Sequence, residues 1–361
     1  MYKTFARILM LMLCLIMSGT ACITAQKLLW SAEFVPYFDN REYAYEVTPS
    51  ATLFATRLAP TIGVGMGHHS IMAGVTWLQP IDSRWSEARF KPTVYYRYDS
   101  HKFAMSMGIF PRTQLIEPLD DFICSDSLAY FSPNIQGALF QHRSYRGYVE
   151  ALVDWRGLPT ETTREAFMIV LQGRFNVTPW LNLGGAGVIN HLARAKNEPI
   201  EQSTHVTDNI MLRPYVGVNL TDYTPLDSLS LQCGYLGTMD RQRGVTDWVV
   251  SHAFVSNLTA EWRFLGVRNK LYIGTGAQPF YKDLGNTLYQ GDAYYSASWY
   301  DRVDLYGYIF RNHFVNCMAS INVYFTSGKV GWQQQLVVRA YINQDFNKQE
   351  ERKERIRNIF H

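Results

Sequence analysis

The chain reads as an all-β protein, a transmembrane antiparallel β-barrel of about sixteen strands. Three observations predict it. Segments of roughly ten residues alternate apolar and polar side chains, and the connections between them alternate long and short. Aromatic residues make up 14% of the chain, with 23 Tyr, enough to furnish girdles at two membrane interfaces. The alternation is clearest in Val315, Cys317, Ala319, Ile321, Val323 and Phe325 against Asn316, Met318, Ser320, Asn322 and Tyr324. About eleven residues is what a tilted strand needs to cross a bilayer core, whereas a soluble strand usually runs five or six. The preceding arm sets Val303, Leu305, Gly307 and Ile309 against Asp304, Tyr306, Tyr308 and Phe310, and only Arg311-Asn312-His313 joins the two.

The N-terminus has the form of a secretory leader over Met1–Ala25. Lys3 and Arg7 give the positive start, Ile8–Met17 the apolar run, and small residues follow. Cleavage is expected at Ala25-Gln26. Cys22 offers a lipoprotein alternative, against which Gly19 stands where an aliphatic residue is normal. Beyond the leader no uncharged apolar run reaches the roughly 18 residues of a spanning helix. Net charge is +3 without a basic stripe, which argues against a nucleic-acid partner. Cys124, Cys233 and Cys317 follow the leader, and two of them fall on apolar strand faces, so a disulfide framework is not expected. The barrel should occupy residues 26–343 and a charged tail residues 344–361.

Sixteen strands, with a range of 14–18, are expected near 28–38, 52–64, 70–79, 90–98, 102–110, 134–143, 147–156, 166–177, 181–193, 209–221, 228–238, 248–264, 271–278, 303–310, 314–325 and 332–342. The gaps sort by parity. Long connections at 39–51, 80–89, 111–133, 157–165, 194–208, 239–247 and 279–302 alternate with short ones such as Gly65–His69, Asp99–His101, Ser144–Arg146 and Leu265–Lys270. Long extracellular loops and short periplasmic turns give this pattern, and a soluble sandwich has no reason to. Pro36, Pro60, Pro92 and Pro214 fall inside these spans and would mark strand ends or bulges. Leu181–Ala193 is apolar on both faces and fits least well.

Parity also sorts charge. Val149, Ala151, Val153 and Trp155 oppose Glu150, Asp154 and Arg156. Phe167, Ile169, Leu171 and Phe175 oppose Met168, Gln172 and Arg174. Leu258, Ala260 and Trp262 oppose Asn257, Glu261 and Arg263, and Leu336, Val338 and Ala340 oppose Gln333, Gln335 and Arg339. Apolar residues toward lipid and charges toward the lumen explain all of these, since a mid-bilayer Arg facing lipid costs about 2–4 kcal/mol.

On these features the chain resembles the general porins in architecture. More locally, Phe38-Asp39-Asn40-Arg41-Glu42, Arg57-Leu58-Ala59-Pro60, Gly108-Ile109-Phe110-Pro111-Arg112 and Tyr300-Asp301-Arg302-Val303-Asp304 resemble an uncharacterised Bacteroidetes-type outer-membrane β-barrel protein family. The resemblance implies the outer membrane of a Gram-negative bacterium. Lipid, lipopolysaccharide and the barrel-assembly machinery would be its surroundings, with a homo-oligomer possible.

Porins fold their third loop into the pore. Here that loop, Pro111–Pro133, carries Glu117, Asp120, Asp121 and Asp126 as constriction candidates. Candidate pore-lining residues by parity are Arg57, Arg97, Arg174, Arg213, Arg263 and Arg339, with Glu150, Asp154 and Glu261 among them. Opposed charges would screen small hydrophilic solutes by size and charge. Alternatively the arginines pair locally with Glu33, Glu150, Asp154 and Glu261 and keep the lumen hydrated. No cofactor and no metal site is expected, because no His, Cys and carboxylate spacing suggests one. Ser256 and His252 lie on one outward row roughly 13 Å apart, too far for a nucleophile–base bond. The sequence therefore points to a diffusion channel and away from an enzyme. A structural, adhesive or ligand-binding barrel is the alternative, through the aromatic seventh loop.

Overall fold

Sixteen antiparallel strands close on themselves in the computed structural model, which describes residues 26–46, 48–161, 163–196, 204–312 and 314–344. The leader expected at 1–25, nearly all of the tail and His313 lie outside those residues. The strands are β1 Gln26–Glu42, β2 Ala51–Met66, β3 His69–Pro80, β4 Arg89–Asp99, β5 Phe103–Pro111, β6 Asn134–Ser144, β7 Gly147–Gly157 and β8 Ala166–Asn176. They continue as β9 Leu181–Leu192, β10 Thr207–Asn219, β11 Ser228–Gln242, β12 Val249–Trp262, β13 Leu265–Gly274, β14 Trp299–Arg311, β15 Val315–Thr326 and β16 Lys329–Asn343. Each pairs with its neighbours in sequence, and β1 pairs with β16, for instance Phe34 with Ala340. Closure leaves no free edge, the condition for a sheet in hydrocarbon.

The side chains follow the expected parity. Ile169, Leu171 and Phe175 are exposed on the outer wall while Met168, Val170 and Gln172 are buried inside. Ile321 points out; Asn322 and Tyr324 are buried within. Among the described residues no helix is long and apolar enough to cross a membrane.

Three local readings are corrected. The turn after β12 is not Leu265–Lys270 but two residues, Arg263-Phe264, with Arg263 at φ 56° and Trp262 pairing with Leu265. Gly266, Asn269 and Lys270 looked like turn residues, yet they lie within β13, where Lys270 turns inward. Phe310 does not face the lumen, because the register shifts between Tyr308 and Phe310 and leaves Ile309 and Phe310 both exposed. The prolines mark neither ends nor bulges. Tyr37 still pairs with Val337 and Tyr215 with Gly234 in the register set on the other side of Pro36 and Pro214.

The two-sided apolarity of β9 has a structural cause. Ala186, Val188 and Leu192 are buried inside the barrel against loop residues, so this strand has lipid on one side and a protein core on the other.

Candidate functional site

The lumen is occupied by two loops. The third loop (112–133) carries a short helix α1, Asp126–Phe131, and the seventh (275–298) carries α2, Tyr281–Leu284. Phe122 and Ile123 of the third loop and Tyr294 and Tyr295 of the seventh form one buried cluster with inward residues from β5 to β15, from Phe110 to Tyr324. On the opposite wall Tyr130 and Phe131 pack on Val35, Ala55 and Leu78 of β1 to β3. The loops also bind each other: Asp292 N donates to Asp121 O (2.8 Å) and Ser125 N to Gln290 O (2.9 Å). Gly291 lies so close that a Cβ there would stand 2.1 Å from Phe122 O.

Every acid of the third loop meets a cation of the wall. Glu117 pairs with Arg174 (2.5 Å), Asp120 with Arg213, Asp121 with Lys270 (2.8 Å) and Asp126 with Arg302 (2.9 Å). Burial alone would push the carboxyls of Asp121 and Asp126 upward. The charges of Lys270 beside the first and Arg302 beside the second outweigh it and hold both below the ordinary aspartate range. Asp292, in the seventh loop, goes the other way. Burial and the nearby charge of Asp121 raise it to about 6. Neutral contacts reinforce the pairs: Tyr295 OH donates to Asp121 (2.7 Å), and Glu150 accepts from Gln141 and Gln172 (2.7 Å each) and from Ile116 N (3.1 Å).

The remaining wall candidates sort as follows. Arg57 pairs with Glu33 (3.0 Å) and donates to Tyr130 O, and Arg339 pairs with the same Glu33 (2.5 Å). Arg97 bonds Asp99 (2.6 Å) and Gln114 (2.8 Å), and Asp154 bonds Arg112 (2.6 Å). Glu261 accepts from Tyr306 OH (2.8 Å) with Arg311 nearby. Arg263 is not on the lumen wall. It sits exposed in its turn, with its guanidinium over the Trp262 ring at 4.8 Å.

A second constellation lies on the outer wall, where parity leads one to expect only apolar residues. Trp155, Phe167, His191, Asp208 and Arg241 stand side by side in register on β7 to β11, all facing outward. The next outward row down the barrel is Val153, Ile169, Ile189, Ile210 and Met239, and it is wholly apolar. The row of polar and aromatic residues thus begins one pleat repeat, roughly 7 Å, above the lipid-facing belt, on the long-loop side. Trp155 stacks on Phe167, and Phe167 on the His191 ring (5.0 Å). His191 Nδ1 bonds Asp208 at 3.0 Å, and His191 Nε2 takes no hydrogen bond among the described residues. Arg243 makes a two-pronged contact with Asp208 (2.7 and 2.9 Å), Arg241 adds one at 3.1 Å, and Arg241 lies over Trp248.

A carboxylate fixing one imidazole nitrogen while the other faces outward is the arrangement of a general base. Two adjacent guanidinium groups could stabilise an oxyanion or a phosphate. Sequence reasoning missed this group, although the signal was present: three charged or titratable side chains fall on outward positions of adjacent strands. Ser256 and His252 are not brought together. Ser256 lies beside Cys233 (3.6 Å), and His252 bonds Tyr235. Among the described residues no group of His, Cys and carboxylates is arranged to hold a metal.

Closure at sixteen strands, an apolar outer belt and loops sorted to one side define a β-barrel of the outer-membrane kind. Similar solved structures agree. Outer-membrane-expressed OmpT of Vibrio cholerae aligns with a TM-score of 0.55 at 9% identity, covering 89% of this chain and 99% of that one. OprD of Pseudomonas aeruginosa gives 0.54 at 9% identity (88% and 96% covered), and OpdK of the same organism 0.52 at 10% (88% and 99%). At such identities the likeness is one of fold. Residues 21–347 match the model of the Lipid A 3'-O-deacylase-type family, and the chain belongs to that family. No curated protein matches it. The expectation that the chain is not an enzyme is thereby overturned, since the family is named for an enzyme. The sequence argument failed because it tested one Ser–His pair on β12 and sought charge only in the lumen.

Proposed function

We propose that the protein is an outer-membrane hydrolase that removes an ester-linked acyl chain from a lipid of the outer leaflet, with lipid A as the first substrate to test. The observation that carries this reading is the outward row of His191, Asp208, Arg241 and Arg243 directly above the apolar belt. Ester and headgroup of an outer-leaflet lipid lie at that height, so the lipid need not leave the membrane to reach the dyad. Asp208 holds the His191 ring by Nδ1, and Nε2 takes a proton from water as it attacks the ester carbonyl. Arg243 or Arg241 stabilises the oxyanion. The proton then passes to the departing sugar oxygen, leaving a free acid and a free hydroxyl. Trp155 and Phe167 offer a flat apolar surface for the acyl chain.

The test is mass spectrometry of lipid A incubated with purified protein. Loss of one acyl chain is expected with the wild type, and a rate about a hundredfold lower or less with His191→Gln, in line with general-base contributions. Equal deacylation by both would overturn the site; no deacylation by either would overturn the reading.

Diffusion of small hydrophilic solutes through the lumen is a second reading, favoured by the charged pairs between third loop and wall. It requires the packed loops to give way, so conductance in a planar bilayer separates the two.

A further inference from the structure

The lumen mouth on the long-loop side contains a cavity of about 340 Å³ between the fourth loop and the seventh. Arg156, Thr163, Arg164, Asn286, Thr287 and Gln290 line it. Arg156 ends the inward row of β7 and differs from the other luminal arginines. Arg57, Arg112, Arg174, Arg213, Arg302 and Arg339 each pair with a carboxylate. Arg156 pairs with none among the described residues. Its one hydrogen bond runs from Nη1 to Leu288 O (3.3 Å), while Nε and Nη2 are shielded from water and have no partner. The nearest acid along its strand, Asp154, is committed to Arg112 and to Gln136 N.

Nε and Nη2 form one edge of the guanidinium, the two-donor fork that matches a carboxylate. A buried, unsatisfied cation is expensive, and proteins keep such a group where a ligand completes it. Thr163, Asn286 and Thr287 add neutral hydrogen-bonding groups to the lining, and Gln290 Oε1 is likewise buried without a partner. An acceptor there calls for a donor on the ligand. Arg164, held by Ala193 O and His205 O, contributes a fixed rim and a second positive charge. A hydroxylated carboxylate supplies both the paired acceptors for the fork and a donor for Gln290.

We propose that this cavity binds a small hydroxylated carboxylate of the sugar-acid class, its carboxylate on the Arg156 fork and a hydroxyl donating to Gln290. Because the site faces the lumen, its ligand arrives from water on the long-loop side and not from the membrane. The site is separate from the outer row, and neither depends on the other.

Isothermal titration of the purified full-length barrel with D-glucuronate, D-glucose and inorganic phosphate tests it. Saturable glucuronate binding is expected, at least about tenfold tighter than glucose, as charge-assisted hydrogen bonds imply, and tighter than phosphate, which brings no sugar hydroxyl to Gln290. Arg156→Gln should lose at least about tenfold. Arg156→Lys should lose affinity too, since it keeps charge but not the fork. Gln290→Leu provides a milder loss in case the Arg156 variants fold poorly by heat-modifiable migration. His191→Gln should bind as the wild type does. Absence of saturable glucuronate binding, unchanged binding in both Arg156→Gln and Gln290→Leu, or phosphate bound as tightly as glucuronate would each overturn the assignment.

Discussion

Asp121→Asn should loosen the plug without disturbing the barrel. Asp121 is 5% exposed, forms an ion pair with Lys270 (2.8 Å) and accepts from Tyr295 OH (2.7 Å). The variant keeps the shape and the tyrosine bond but leaves Lys270 without its nearest counter-charge. Removing one member of a buried pair costs about 3–5 kcal/mol. The Lys270 side chain is 23% exposed, so water recovers part of that, and about 2 kcal/mol is the expected cost here. Such a change shifts the closed–open equilibrium of the loop about thirtyfold. Native-state hydrogen exchange reads it directly at the Ile123 and Cys124 amides, which bond Asp120 O at 2.8 and 3.0 Å. These amides should exchange about thirtyfold faster, with β-strand amides unchanged. Adding Lys270→Met removes the stranded charge and should restore much of the protection. Exchange at wild-type rates in Asp121→Asn would refute the view that the ion pair holds the loop.

Further outcomes follow from the same geometry. Ile321→Arg places a charge on the lipid face at about 2–4 kcal/mol and should lower the heat-modifiable folded fraction, whereas Ile321→Leu should not. The plug should also respond to pH. Asp121 and Asp126 are held low by their cation partners, so their contribution is present above about 4 and is lost as pH falls. Asp292 is raised from 3.8 to about 6, so it opposes closure increasingly as pH climbs through that range. Protection of the third-loop amides, corrected for their intrinsic exchange rates, should therefore peak near about pH 4, falling below it as Asp121 and Asp126 protonate and falling again between about pH 4 and 6 as Asp292 ionises, and a monotonic profile would contradict the opposed shifts. Finally, a protease site inserted at Gly244 should be cut on intact cells and one at Gly67 protected. Both glycines have positive φ and open space around them. The reverse result would invert the barrel's orientation.

The fold was legible because a spanning strand must show one face to lipid. That demand writes period-two patterns strong enough to locate nearly every strand and to mark the chain as a barrel. It fails where a strand's inner face is also apolar, as in β9, and there the sequence carried a different message. Ala186, Val188, Met211 and Val255 point inward because the third and seventh loops bring a core to meet them. Read that way, inward apolar residues on successive strands announce a plug, and an open pore would not select them. The third-loop acids were legible as a set, but Lys270 and Arg302 as partners were not. Lys270 looked like part of a turn, and Arg302 sat just ahead of the expected strand.

The outer row was missed for a more instructive reason. A rule that sends every charge to the lumen holds only within the hydrocarbon, and it stops at the last apolar row. Ile189 and Ile210 are 46% and 36% exposed, as lipid-facing residues are, yet His191 and Asp208 two positions before or after them are mostly covered by each other, Phe167, Arg241 and Arg243. Charges that cover one another on an outer wall are not solvated surface. They are held in place, and the holding leaves His191 Nε2 and the free edges of two guanidinium groups facing outward one row above the apolar belt. An outer-membrane barrel that serves only as a conduit has no use for such an arrangement outside its pore, whereas a protein that acts on the leaflet around it needs its chemistry there.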